Sequence, residues 1–237
     1  MPKELTDLYA IFTNHPEGRW ILWPERGLPL YNTVKKLQPK NVLELGGGIG
    51  AGTAVISLAL GDGPASPQSQ GGRITSVEQY EKCLNIAKEI IPAHLQKKIN
   101  FVLSDTYAFK NDKISKYQYL SGYKNLGLND SPFDFVVVDG PASWMEDGQL
   151  VALPHGDIIT ALPHLVPGCK IFFDGRKITA KMLLRYLPKY LKIYGEDKHY
   201  IILERTNHSI KNLDELEVTD QKLANMENRN YFGELAE

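Results

Sequence analysis

From residue 39 onward the chain alternates short apolar runs with longer amphipathic ones, and this constrains its fold more than any other feature. "NVLEL" leads into "GAGTAVISLAL", and "RITSVE" into "YEKCLNIAKEII". The first run of each pair reads as a strand. The second reads as a helix, with Cys83, Ile86, Ala87 and Ile90 at helical spacing in the latter case. "INFVLSD" is a third strand. "FDFVVVDG" is a fourth, apolar almost throughout, as befits a strand covered on both faces. "GDIITALPHLV" is a helix broken near Pro163, "CKIFFDG" a fifth strand, and "ITAKMLLRYL" a helix stopped by Pro188. "YLKIYG" and "HYIILERT" close the pattern as an antiparallel pair. Strands alternating with helices predict an α/β fold, a doubly wound, mostly parallel sheet with helices on both faces. The closing pair brings it to seven strands.

The 237 residues suffice for one sizeable core. Residues 1–38, which carry Trp20 and Trp23, read as an N-terminal helical cap, and 39–210 as the α/β domain. The polar, acidic stretch 211–237 is a tail, either docked or disordered. "GDGPASPQSQGG" predicts a mobile loop, and the insert from Asp112 to Asp130 a loop or short helix over the site. A net charge of -1 provides no global field to draw nucleic acid or an anionic membrane. Cys83 and Cys169 form no CxxC pair, which argues against a disulfide framework or zinc knuckle and for a reducing compartment. No stretch reads as a signal peptide or a membrane span, so the expected location is the cytoplasm.

The first strand ends in Glu44-x-Gly46-x-Gly48-x-Gly50, directly before a helix. Such a turn brings backbone amides to the crevice outside the sheet, and missing side chains let a ligand approach closely. Gly46, Gly48 and Ala51 also fit the G-x-G-x-x-A form of a dinucleotide fingerprint. Glu44, however, would repel a pyrophosphate and suits an ammonium or sulfonium ligand instead. Further acids end later strands: Glu78 in "TSVEQ", Asp105 after Ser104, Asp139 in "VVVDGP" and Asp174 in "FFDGRK". Each alone could cap a following helix. Together they converge on one crevice.

On these motifs the chain, from about Val42 to the last strand, resembles the class I S-adenosylmethionine-dependent methyltransferases, of the O-methyltransferase type. The resemblance implies the strand order 3-2-1-4-5-7-6 and S-adenosyl-L-methionine as cofactor. It places Glu44, Gly46, Gly48 and Gly50 around the methionine part and counts Thr53 and Asp139 among the cofactor-binding residues. Glu78 would hold the ribose hydroxyls through charge-assisted bonds. Gln79 and Tyr80 would flank the adenine, Ser104 and Asp105 would reach its amine, and Asp139 would form the floor beneath the acceptor.

Methyl transfer to a hydroxyl needs alignment and removal of a proton. Asp139, Asp174 and His155 are the candidate catalytic residues. Asp139 and Asp174 on neighbouring strand ends could share a Mg²⁺, as in metal-dependent O-methyltransferases. There asparagine often follows the second aspartate. Here Gly175 follows, and Arg176 and Lys177 offer an alternative neutralising charge. His164 reads as structural. Trp144 reads equally as a substrate-facing or a core aromatic, while Trp20 and Trp23 form a lid or a staple to the core. The expected acceptor is a small molecule or carbohydrate, not nucleic acid, and a homodimer is compatible with the sequence. An aminopropyltransferase would need another acid soon after Asp139, and none occurs before Glu146. A non-catalytic adenosyl-binding subunit would keep the same glycine loop.

Overall fold

The computed structural model describes residues 1–18, 21–61, 72–110, 119–128, 132–141, 144–146, 149–151 and 153–218. Trp20, nearly all of the "GDGPASPQSQGG" loop, the first part of the Asp112–Asp130 insert and the tail beyond 218 lie outside them. The helices are α1 (Lys3–Thr13), α2 (Pro24–Leu37), α3 (Ala51–Leu60), α4 (Glu81–Ile90), α5 (Ala93–Gln96), α6 (Asp157–Ala161) and α7 (Lys177–Tyr186). The strands are β1 (Asn41–Leu45), β2 (Arg73–Glu78), β3 (Ile99–Leu103), β4 (Thr106–Lys110), β5 (Tyr119–Tyr123), β6 (Phe133–Val138), β7 (Trp144–Glu146), β8 (Gln149–Val151), β9 (Leu165–Asp174), β10 (Leu191–Glu196) and β11 (Tyr200–Arg205).

The central sheet runs β3-β2-β1-β6-β9-β11-β10. Counted along the chain within this sheet, that is 3-2-1-4-5-7-6. Pairs from β3 to β9 are parallel, and β11 is antiparallel to both β9 and β10. Strand alternation divides the side chains between two cores. Leu43, Leu45, Val136, Val138, Ile171 and Phe173 face α6 and α7. Val42, Phe135, Val137 and Phe172 face α1 to α4. Phe135 and Phe172 are fully buried, so truncating either to alanine would cost about 3–5 kcal/mol. The first two helices belong to the second of these cores through Leu5, Phe12, Leu30 and Val34. The start of the tail is docked as well: Leu216 is buried and the Glu217 amide donates to the Tyr190 hydroxyl.

The break at Pro163 is present, with α6 giving way to a 3-10 turn at Leu162–His164. The insert differs from expectation. Its described part contains β5, a strand paired antiparallel with β4, rather than a loop or helix. β5 also pairs on its other side with the segment before α6: the Ser121 amide donates to Pro154 O and the Gly156 amide to Ser121 O. The Tyr123 amide donates to Asp157 Oδ1 at 2.8 Å. These bonds hold the hairpin over the carboxyl ends of the central strands. Among the described residues no helix is long and apolar enough to cross a membrane.

Asp157 is buried, and its Oδ2 has no hydrogen-bond partner among the described residues. Burial raises its pKa to about 7, against the lowering effect of the Tyr123 and Asp157 amides. A carboxyl whose pKa is raised on folding binds more protons in the folded state. Its contribution therefore declines as pH rises from the ordinary carboxylate range through about 7. Asp157→Asn keeps the acceptor for Tyr123 and removes this ionisation. The variant is expected to lose less stability than the parent between pH 5 and 8, by roughly 1–3 kcal/mol. Melting temperature measured across that range tests this. Parallel pH curves for the two proteins would show that Asp157 does not titrate as described.

Candidate active site

Strand periodicity assembles the site. Glu44 is the register partner of Ser76 on β2 and of Val137 on β6, and Val137 pairs with Phe172 on β9. Two residues further along each strand, alternation returns the next side chains to the same face. Glu78, Gly46, Asp139 and Asp174 thus form a row at the carboxyl end of the sheet, on the face covered by α1 to α4.

Gly46 lies at φ +93°, and a Cβ there would stand 2.3 Å from the Gly140 nitrogen. The turns after β1 and β6 consequently meet backbone to backbone. The Gly46 and Gly47 amides donate to Val77 O, while the Asp139 amide donates to Leu45 O at 2.9 Å. Much of the glycine cluster is thus explained by protein neighbours. Gly47 makes room for Ser76 Oγ, Gly50 for Ile91 and Gly52 for Glu44 Oε1. Gly48 donates its amide to Glu78 Oε2 at 2.7 Å, and the Tyr80 amide donates to Glu78 Oε1 at 2.8 Å. Glu78 therefore joins the glycine turn to the start of α4. Burial is the main cause that raises its pKa, opposed by these amides.

Glu44 is buried beneath the turn. Thr53 Oγ1 and Ser76 Oγ both donate to its Oε2, at 2.5 and 2.6 Å. Thr53 thus turns its hydroxyl into the interior, toward Glu44. Burial raises the Glu44 pKa to about 7, against the two hydroxyls and with help from the Glu78 charge. A cation brought to this carboxyl would stabilise its ionised form.

Asp139 keeps some solvent contact, and Asp174 is buried. Burial raises the pKa of Asp174, against the lowering effect of Arg26 and Arg176. Burial and the Asp174 charge push the Asp139 pKa well up, opposed by Arg176 and Arg26 and aided by Glu44. Arg176 Nη2 donates to the Asp139 carbonyl. Arg26 at the start of α2 pairs with Asp174: Nε lies 3.3 Å from Oδ1, and Nη1 donates to Oδ2 at 3.4 Å. Lys177 points elsewhere, to Glu196 and the Asp197 carbonyl. The two aspartates come together as the sequence suggested, but their surroundings do not fit Mg²⁺. Two guanidiniums accompany them, and no group of three or more metal-ligating side chains occurs among the described residues.

His155 is buried, with Nδ1 2.5 Å from the Gly140 carbonyl. That carbonyl only accepts, so Nδ1 carries the proton and Nε2 the lone pair. Burial, together with Arg176, lowers its pKa to about 3. The imidazole is neutral at ordinary pH and a weak base. Ser104 is buried, and its Oγ accepts from the Asn125 amide. Asp105 is exposed and paired with Lys124 at 3.3 Å. Tyr80 is exposed, and Gln79 partly so. Trp23 is exposed and precedes α2, and Trp144 lies in β7.

Sequence reasoning missed four members of this region. Ser76 was legible in principle, being the in-register neighbour of Glu44. Arg26 gave no signal, because its pairing with Asp174 spans 148 positions. Tyr123 and Asp157 depend on the β4–β5 hairpin. The buried Tyr123 hydroxyl stands 2.7 Å from where a Gly140 Cβ would be, and burial and the Glu78, Asp157 and Asp139 charges raise its pKa.

No protein-family model matches the chain, and no curated protein sequence matches it significantly. Solved structures do resemble it. An O-methyltransferase from Bacillus cereus, in complex with S-adenosylhomocysteine, superposes with a TM-score of 0.55 at 16% identity, over 87% of this chain and 92% of that one. A methyltransferase from Podospora anserina, also bound to S-adenosylhomocysteine, gives a TM-score of 0.57 at 11% identity, over 87% and 89%. An S-adenosylmethionine-dependent O-methyltransferase from Thermotoga maritima gives 0.53 at 12%, over 88% and 73%. Together with the strand order, these matches show that the chain has the Rossmann-like fold of the class I methyltransferases.

Proposed function

We propose that the protein is an S-adenosylmethionine-dependent methyltransferase acting on a hydroxyl of a small molecule or carbohydrate. The row of acids at the carboxyl end of the sheet carries this reading: Glu44 and Glu78 border the glycine turn, and Asp139 stands one strand away. Two carboxyl groups beside a strand-to-helix turn fit a ligand bearing both a cationic centre and vicinal hydroxyls. Bound there, S-adenosylmethionine would supply an activated methyl on sulfur.

Glu44 faces the cationic part, held in place by Thr53 and Ser76. Glu78, fixed by the Gly48 and Tyr80 amides, has lone pairs left for the ribose hydroxyls. Gln79, Ser104 and Asp105 lie toward the adenine. Asp139 takes the proton from the acceptor hydroxyl, and its raised pKa makes its ionised form the stronger base. His155, too weakly basic for that task, positions the Asp139–Gly140 turn through the Gly140 carbonyl. Asp174 anchors Arg26 and sets the charge around Asp139.

Thermal unfolding with S-adenosylmethionine, S-adenosylhomocysteine, NAD(H) and no ligand tests the reading. A ligand at ~100 times its dissociation constant adds about 2.7 kcal/mol, which for a chain of this length is roughly 5–10 °C. A shift with the adenosyl compounds alone is expected, whereas one with NAD(H) alone, or none with the adenosyl compounds, would overturn it. Glu78→Ala should weaken adenosyl binding by ~2 kcal/mol if both ribose bonds are lost. Unchanged affinity by calorimetry would remove Glu78 from the site.

A further inference from the structure

The residue after the second aspartate is Gly175, where a metal-dependent site of this type often has asparagine. Gly175 lies at φ +60°, and a Cβ there would stand 2.9 Å from Arg26 Nη1 and 3.3 Å from its Cζ. The missing side chain is thus the space that the Arg26 guanidinium occupies. From that position Arg26 meets Asp174 side-on with both Nε and Nη1. Arg176 bonds the Asp139 carbonyl through Nη2. Two aspartates, two arginines and a glycine therefore form one interlocking group.

We propose that Arg26, with Arg176 beside it, stands where a divalent cation would, so that the Asp139–Asp174 pair is closed to metal and the protein supplies the positive charge itself. The inference rests on the methyl-transfer reading for the place of the acceptor, but the state of the carboxylate pair can be tested without it. A guanidinium is fixed in charge and directional in its donors. It holds a fixed positive charge against Asp174 and leaves no open coordination positions. An acceptor beside Asp139 would therefore meet fixed side-chain charge rather than a metal ion.

The test is a Mn²⁺ titration of the whole chain, followed by electron paramagnetic resonance of free Mn²⁺, without any adenosyl compound. The parent protein is expected to show no saturable binding at millimolar Mn²⁺. Arg26→Gln combined with Gly175→Asn frees Asp174 and restores a neutral oxygen ligand. That double variant should bind Mn²⁺ at least about tenfold more tightly than the parent. Its circular dichroism and melting curve establish that it is folded, and Arg26→Gln alone serves if it is not. Saturable binding by the parent that is lost in Asp174→Asn would overturn the proposal, as would a folded variant with no gain. A missing adenosyl shift in the unfolding experiment would sink the methyl-transfer reading and leave the Mn²⁺ result standing.

Discussion

Asp139→Asn is expected to lower the methyl-transfer rate by about 10²–10⁴-fold, the usual range for loss of a positioned general base. Asparagine preserves the shape of the side chain and leaves intact the backbone bonds from Asp139 and Gly140 to Leu45. Binding of S-adenosylhomocysteine should therefore change little. Single-turnover rates and calorimetric affinities, measured on the same preparations, separate the two effects. Burial and the Asp174 charge raise the pKa of Asp139, so the parent rate should climb with pH as Asp139 loses its proton. Because the carboxyls are coupled, the apparent pKa of that rise belongs to the pair. A rate for Asp139→Asn within a few-fold of the parent would remove Asp139 from proton transfer.

Gly46→Ala is expected to be strongly damaging for so small a substitution. The new Cβ would sit 2.3 Å from the Gly140 nitrogen and 2.5 Å from its Cα, and backbone on both sides leaves no flexible side chain to yield. The backbone at φ +93° adds its own strain for any residue with a Cβ. A loss of about 3–5 kcal/mol is expected, which lowers the melting temperature by roughly 10 °C. Adenosyl binding should fall as well, since the turn cannot keep its path. Gly168→Ala is the control: it also has a positive φ, of +84°, but no atom lies within 4 Å of its added Cβ. If Gly46→Ala costs no more than Gly168→Ala, the close approach of the two turns is not what the glycine is for.

The central sheet was legible because its physics is local. A strand covered on both faces needs consecutive apolar residues, as in "FDFVVVDG", and each such run stands beside a helix-period segment. The acids at the strand ends were legible for the same reason, their positions following from alternation along strands already identified. The β4–β5 hairpin was not. Only two residues separate the end of β3 from "TYAFK", so one run of chain serves two sheets. β5, which contains Gly122, has its register set by contact with residues 154–157 rather than by its own pattern. The glycine loop was half legible. Its sequence suggested a ligand, whereas Gly47, Gly50 and Gly52 each accommodate protein atoms. Arg26 and Asp174 meet across 148 positions of chain, and nothing in either local sequence names the other.

The seam between Gly46 and Gly140 has one more consequence. The turn that would cradle the methyl donor and the turn that would floor the acceptor touch without a side chain between them. Side chains absorb small displacements by rotating, but bare backbone does not. A shift of Asp139 and Gly140 as an acceptor settles is therefore passed directly to the glycine turn, and the reverse holds when the donor settles first. Thermodynamics requires such an influence to be mutual and equal in size. The two ligands of this crevice would thus sense one another, and their coupling would run through backbone rather than through any side chain.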